Sequence, residues 1–86
     1  MTNLRKIGLD TRQLEHPVPL EMAMKILQNL DNETYLYMLH RKNPLPLIDL
    51  AKENNFQVLH QEDTSKEWHI LISKNQDVNL NDLLNV

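Results

Sequence analysis

The stretch EHPVPLEMAMKIL (Glu15–Leu27) returns in altered form as KNPLPLIDLAKEN (Lys42–Asn54). Each copy places Pro-x-Pro-Leu ahead of apolar residues at helical spacing. A proline biases the residue before it towards extended backbone, and in the first turn of a helix its missing N–H forfeits no bond. Each copy therefore marks a passage from extended chain into a helix, and two such passages set the order of elements.

From Pro19 the apolar residues Leu20, Ala23, Met24, Leu27 and Leu30 fall on one helical face, with Glu21, Lys25, Gln28 and Asn29 opposite. Met22 and Ile26 widen that face beyond one core contact. The second copy predicts a shorter helix, with Leu47, Leu50 and Ala51 on one side and Asp49, Lys52 and Glu53 on the other; Asn54 and Asn55 supply the left-handed residue that would end it. Between the helices, TYLYMLH (Thr34–His40) is a seven-residue aromatic and apolar run, too short for a helix, and reads as a strand with two apolar faces. Leu4–Leu9 reads as a short first strand entering the loop DTRQLEHP (Asp10–Pro17).

Downstream, FQVLHQE (Phe56–Glu62) and EWHILIS (Glu67–Ser73) flank DTSK as a β-hairpin. With Thr64 and Ser65 as its turn, Val58 faces Leu71, Leu59 faces Ile70, and His60 faces His69 as an ordinary cross-strand pair. A one-residue slip would exchange the faces. The tail NQDVNLNDLLNV (Asn75–Val86) is polar with a late apolar group at Leu80, Leu83, Leu84 and Val86; it is either a frayed end or a short turn that docks when a partner is present.

The sum is an α+β fold: a two-layer α/β sandwich in the order β-α-β-α-β-β, with a four-stranded mixed sheet, two helices on one face and the other face open. A single domain over residues 1–75 is expected, followed by a C-terminal tail over 76–86 that is flexible if it is frayed and ordered if it docks. Eighty-six residues leave no room for a second core. The chain has one glycine, so tight turns rest on Asn and Asp. It has no cysteine, which excludes disulfides, thiolate metal sites and thiol or persulfide chemistry. A net charge of −3 disfavours nucleic acid as a partner, because phosphate contacts dominate such affinity. No window approaches the ~18 apolar residues of a membrane span, and MTNLRKIGLD lacks the apolar core of a signal peptide. A soluble, cytoplasmic protein is the default expectation.

If the first two strands are parallel, both helices begin at one edge of the sheet, where free N–H groups and positive dipole ends collect. Arg12, His16, Pro17 and Pro19 come from one loop, and His40, Arg41, Lys42, Pro44 and Pro46 from the other. These nine are the candidate binding residues, and the local charge suits an anion. His16 would serve as a donor whose charge rises below about pH 6.5. Four histidines also raise the question of a metal, with His16 and His40 as the candidates, but no His-x-x-x-His pair supports it. Asp10 and Arg12 read as a loop-fixing ion pair, and Trp68 as core. For catalysis, His16 would be the base with Asp10 or Glu15 beside it, without a nucleophile. No cofactor is implied.

LDTRQLEHPVPLEMAMKIL (Leu9–Leu27) resembles the opening of the TusA/SirA-like sulfur carriers, which have a Leu-Asp-x-Arg-x-Leu stretch, then Cys-Pro-x-Pro, then an amphipathic helix. The likeness runs over roughly Ile7–Lys74 and implies that family's β-α-β-α-β-β sandwich. In those carriers the motif cysteine takes up a persulfide sulfur. Here His16 stands at that position, so the chain more closely resembles a cysteine-less branch of unknown function, and sulfur carriage does not transfer. The leading expectation is a small non-catalytic interaction or regulatory module that binds a protein partner or forms a homodimer through the open sheet face, represented by Leu36 and Met38, or through the wide face of the first helix. The alternative is an anion- or metal-binding protein using His16 and His40.

Overall fold

The computed structural model describes residues 4–85. Val86, counted above in the tail's apolar group, lies outside them. The chain runs β1 (Arg5–Asp10), α1 (Val18–Gln28), β2 (Thr34–His40), α2 (Leu45–Glu53), β3 (Gln57–Glu62) and β4 (Trp68–Ser73), followed by a single 3-10 turn at Leu80–Leu83. The four strands form one sheet in the order β1-β2-β4-β3. β1 and β2 are parallel neighbours, from Arg5 opposite Thr34 to Asp10 opposite Leu39. β4 runs antiparallel to both β2 and β3. The sandwich expected from the repeat is present.

β2 lies in the middle of the sheet, which is why both its faces are apolar. Leu36 and Met38 point to the helix side and are buried with Ala23, Leu27, Leu47, Ala51, Ile70 and Ile72. α1 turns Pro19, Ala23 and Leu27 inward, and α2 turns Leu47, Ile48 and Ala51 inward. Asn55 takes the left-handed backbone (φ 66°) after α2, as the Asn pair predicts.

Three sequence expectations are corrected. The hairpin is shifted by one residue: His60 faces Ile70, and His69 faces Gln61. The turn is a three-residue loop in which Asp63 N–H bonds the Glu67 carbonyl (2.8 Å) and Lys66 N–H bonds the Asp63 carbonyl (3.0 Å), with Lys66 at φ 65°. The Asp63 carboxylate holds this loop by accepting from the N–H groups of Ser65 and Glu67 at 2.8 and 3.0 Å. An Asp opening a type I turn with a left-handed residue behind it outcompetes the two-residue turn, for which Thr-Ser is poorly suited. His60 and His69 therefore sit on opposite faces, and His60 stacks on Trp68 instead.

The second correction concerns the far face of the sheet, expected to be open. The tail crosses it: Leu80, only 2% exposed, packs with Tyr35, Tyr37 and Leu71, and Val78, Leu83 and Leu84 border the cluster. Gln57 Nε2 donates to the carbonyls of Asn75 and Val78, fixing the start of the crossing. Thirdly, Met38 lies under the helices with no exposed surface, so neither it nor Leu36 is available to a dimer partner. No helix among the described residues is long and apolar enough to cross a membrane.

Candidate functional site

The parallel pairing of β1 and β2 carries both chain ends to one edge, Asp10 beside Leu39. From there each loop must climb into its helix, and each does so through Pro-x-Pro. Pro17 and Pro44 occupy the N-cap positions, Pro19 and Pro46 lie in the first turns, and neither helix has a side-chain cap. The His16–Pro17 peptide is cis. A proline cap has no side-chain acceptor to offer; the first N–H of each helix instead donates to a loop carbonyl, Val18 to Glu15 at 3.0 Å and Leu45 to Asn43 at 2.9 Å, and Pro19 and Pro46 have no N–H to contribute.

Between the two helix starts lies a pocket of about 170 Å³. Its floor is apolar, made by Leu20, Met38 and Leu47, and Pro19, Pro44 and Pro46 form its walls. The polar groups are His16, His40, Lys42 and Asn43. Six of the nine residues singled out in the sequence thus line one cavity. Pro17 is exposed at the helix cap, outside it.

The two arginines are engaged elsewhere. Arg12 grips Asp10 through two bonds, Nε to Oδ1 at 2.9 Å and Nη2 to Oδ2 at 2.7 Å, and reaches Glu67 at 3.0 Å. The guanidinium and the Arg12 backbone N–H together lower the Asp10 pKa to about 2. This is the loop-fixing pair that the sequence predicts, and Glu67 extends it to the edge of β4. Arg41 pairs with Glu15 at 3.5 Å and donates to the Leu14 carbonyl, which ties the second loop to the first. Lys42 is left as the cation that lines the pocket.

His40 is more constrained than its sequence position suggests. The Thr11 hydroxyl donates its proton to the Leu39 carbonyl at 2.8 Å, so its oxygen must accept from His40 Nδ1, 3.0 Å away. Burial lowers the His40 pKa; a hydrogen bond with the Thr11 backbone opposes this, and the charges of Arg41 and Lys42 add to the lowering. Neutral His40 carries its hydrogen on Nδ1 and leaves Nε2 as an acceptor. Asn43, which sequence reasoning passed over, adds a second acceptor: its Oδ1 is buried and has no hydrogen-bond partner. The only signal for it was its place between Lys42 and Pro44. Among the described residues, no group of three or more His, Asp or Glu side chains is arranged to hold a metal ion.

Among the described residues, the exposed large apolar side chains are Val18, Met22 and Leu45. Val18 and Met22 are one helical turn apart at the start of α1, and Leu45 opens α2. All three lie in the segments that flank the pocket.

Residues 8–74 match the family described as "Uncharacterized conserved protein (DUF2249)". The chain belongs to that family. No curated protein and no solved structure matches the chain. The DUF2249 match begins at Gly8 in β1 and ends one residue after β4, so it takes in both Pro-x-Pro segments and every residue of the pocket.

Proposed function

We propose that this DUF2249 protein is a non-catalytic interaction module that docks on a protein partner through the edge where its two helices start. The pocket there receives an acidic residue of an extended partner segment. The observation that carries this reading is the composition of the pocket: one cation, Lys42, beside two acceptors, His40 Nε2 and Asn43 Oδ1, over an apolar floor. A simple anion satisfies the cation and leaves the acceptors unmatched, which costs free energy in a desolvated site. An acidic residue in a peptide supplies both, a carboxylate for Lys42 and backbone N–H groups for the acceptors. Val18, Met22 and Leu45 then give apolar contact at the rim, where few large apolar residues are otherwise left wet.

This reading is consistent with a cysteine-less relative of the TusA/SirA-like carriers, in which the edge persists as a docking surface after loss of the sulfur-bearing residue. The element order, the Leu-Asp-x-Arg-x-Leu stretch and His16 at the pocket mouth support that relationship.

Fluorescence anisotropy with labelled acetyl-Leu-Glu-Leu-amide and its Gln counterpart tests the proposal. The Glu peptide should bind more tightly, and Lys42→Glu should weaken it by about tenfold or more, as expected for reversing a close charge contact. Leu45→Ser should weaken both peptides alike. Equal affinity for the two peptides, unchanged by Lys42→Glu, would discard the reading.

A further inference from the structure

The opposite face of the sheet holds a second cavity, of about 400 Å³, that the docking edge does not use. Its lining includes Lys6, Gly8, Tyr37, Leu39, His69 and Asn85. Gly8, the chain's single glycine, pairs with Tyr37 across the sheet. Its backbone is not left-handed, and a Cβ built on it would meet no atom within 4 Å. Neither conformation nor packing requires a glycine there, and glycine inside a strand is unfavourable. A side chain at this position would instead project into the cavity.

The cavity floor carries a buried relay. Tyr37 Oη lies 2.7 Å from His69 Nδ1, and His69 Nε2 lies 2.9 Å from Asp63 Oδ2. Tyr37 and His69 are 6% and 9% exposed. For the neutral imidazole, proton counting gives the polarity. The His69 contact, with help from backbone N–H groups, holds the Asp63 pKa below its ordinary value, so Asp63 is an acceptor and Nε2 carries a hydrogen. In neutral imidazole Nδ1 is then bare and accepts the Tyr37 proton. Asn85 N–H donates to the same phenolic oxygen at 3.0 Å, and one lone pair remains. With its proton drawn towards His69, that oxygen is a strengthened acceptor. Lys6 Nζ stands 5.4 Å from the centre of the Tyr37 ring and supplies a positive charge at the same wall. Asp10, also at this cavity, has its carboxylate committed to Arg12.

We propose that this cavity is a second ligand site, for a small hydroxy- or amino-carboxylate whose carboxylate meets the Lys6 ammonium and whose hydroxyl or ammonium hydrogen is accepted by Tyr37 Oη. The volume is in the range of small-molecule sites, and Leu39 gives the apolar wall such sites have. The site is independent of the docking edge and stands whether or not that reading holds.

Titration of the full chain with lactate, malate and serine, followed by NMR, tests it; acetate, without the donor, and glycerol, without the carboxylate, are the controls. At least one probe should give saturable shifts at Gly8, Tyr37 and the His69 Nδ1 resonance at millimolar concentration, with both controls weaker by about tenfold or more. Gly8→Val should abolish the response by filling the cavity while leaving the melting temperature unchanged or raised, since its Cβ meets open space. Lys6→Met, at an exposed position, removes the ammonium over the Tyr37 ring but none of the relay's hydrogen bonds and should weaken binding, and Lys42→Glu should leave it unchanged. A relay that serves only to fasten the loop and tail predicts no saturable shifts with any probe, or an equal response to acetate, or a response that survives both Gly8→Val and Lys6→Met. Any of these three results would overturn the proposal.

Discussion

The two faces of the sheet are both covered, but by unlike things. The helix face is a dry apolar layer, with Leu36, Met38, Ile70 and Ile72 fully buried beneath two regular helices. The tail face is covered by about ten residues of mostly irregular chain and a single 3-10 turn, and beneath them lie a phenol, an imidazole and a carboxylate in contact. The helix face has the larger apolar area, so it carries most of the stability, although His60 on this face keeps a buried Nδ1 without a hydrogen-bond partner. The tail face has fewer apolar contacts and more hydrogen bonds near solvent, the composition of a region that opens locally at low cost. Most of the apolar burial and the hydrogen-bonded relay thus lie on opposite sides of one sheet.

Met38→Lys breaks this comparison most severely. An ammonium at a position with no exposed surface, packed into the apolar cluster beneath the helices, is costly to bury, and the penalty of several kcal/mol is comparable to the whole stability of a small domain. Circular dichroism should show an unfolded chain. If the variant instead stayed folded and changed only its oligomeric state, Met38 would be a surface contact and the two faces would have been misassigned.

Leu80→Ala probes the other side. Loss of this buried side chain should cost about 2–3 kcal/mol, the lower part of the range for such truncations, because a thin cover can collapse into the space. Urea unfolding measures the loss, and hydrogen exchange localises it. Amides at Asn81–Asn85 should exchange through local opening, faster in the variant, while those at Leu36, Ile70 and Ile72 exchange only on global unfolding. Uniform protection across both faces would remove the distinction drawn between them.

Much of this was readable in the sequence. The helices and β2 were legible because apolar spacing and Pro-x-Pro punctuation report local geometry, and the gathering of the two loops followed because parallel strands must send both to one edge; the pocket between them was not legible. The hairpin register was not legible, since it turns on one residue. Asp63 and Lys66 together make a three-residue loop without the glycine that usually marks the left-handed position, and this moves His69 to the tail face. The Tyr37–His69–Asp63 relay could not be found from the sequence for that reason; Tyr37 is far from the other two in the chain, and the three meet only in the correct register. The tail's docking was half visible in Leu80, Leu83 and Leu84, but not its target. Lys66→Gly tests the register argument. Relief of the left-handed strain should exceed the added entropy of the unfolded chain, giving a gain of about 0.5–1 kcal/mol and a higher melting temperature. A loss of stability would mean that the Lys66 side chain holds the loop in a way its backbone does not suggest.

The smallest effect belongs to His40 and has a definite sign. Burial in the wall of the pocket disfavours its charged form, the hydrogen bond with the Thr11 backbone opposes that, and Arg41 and Lys42 reinforce it, so its pKa in the folded chain lies below the ordinary 6.5. Above about pH 6.5 the group is neutral in both folded and unfolded chains, and its contribution to stability is fully present. As pH falls through that value, the unfolded chain takes up a proton that the folded chain refuses, and stability declines until the lower folded pKa is reached. Protonation would also convert Nε2 from an acceptor to a donor and remove one of the two acceptors that distinguish the pocket from a simple anion site. Urea unfolding of wild type and His40→Gln at about pH 7.5 and about pH 5.5 isolates the contribution. The wild type should lose more stability over this interval than the variant. Equal losses would place the titrating group elsewhere and leave His40 with no measurable pressure to remain neutral, and the donor-seeking pocket inferred from its tautomer would lose its electrostatic basis.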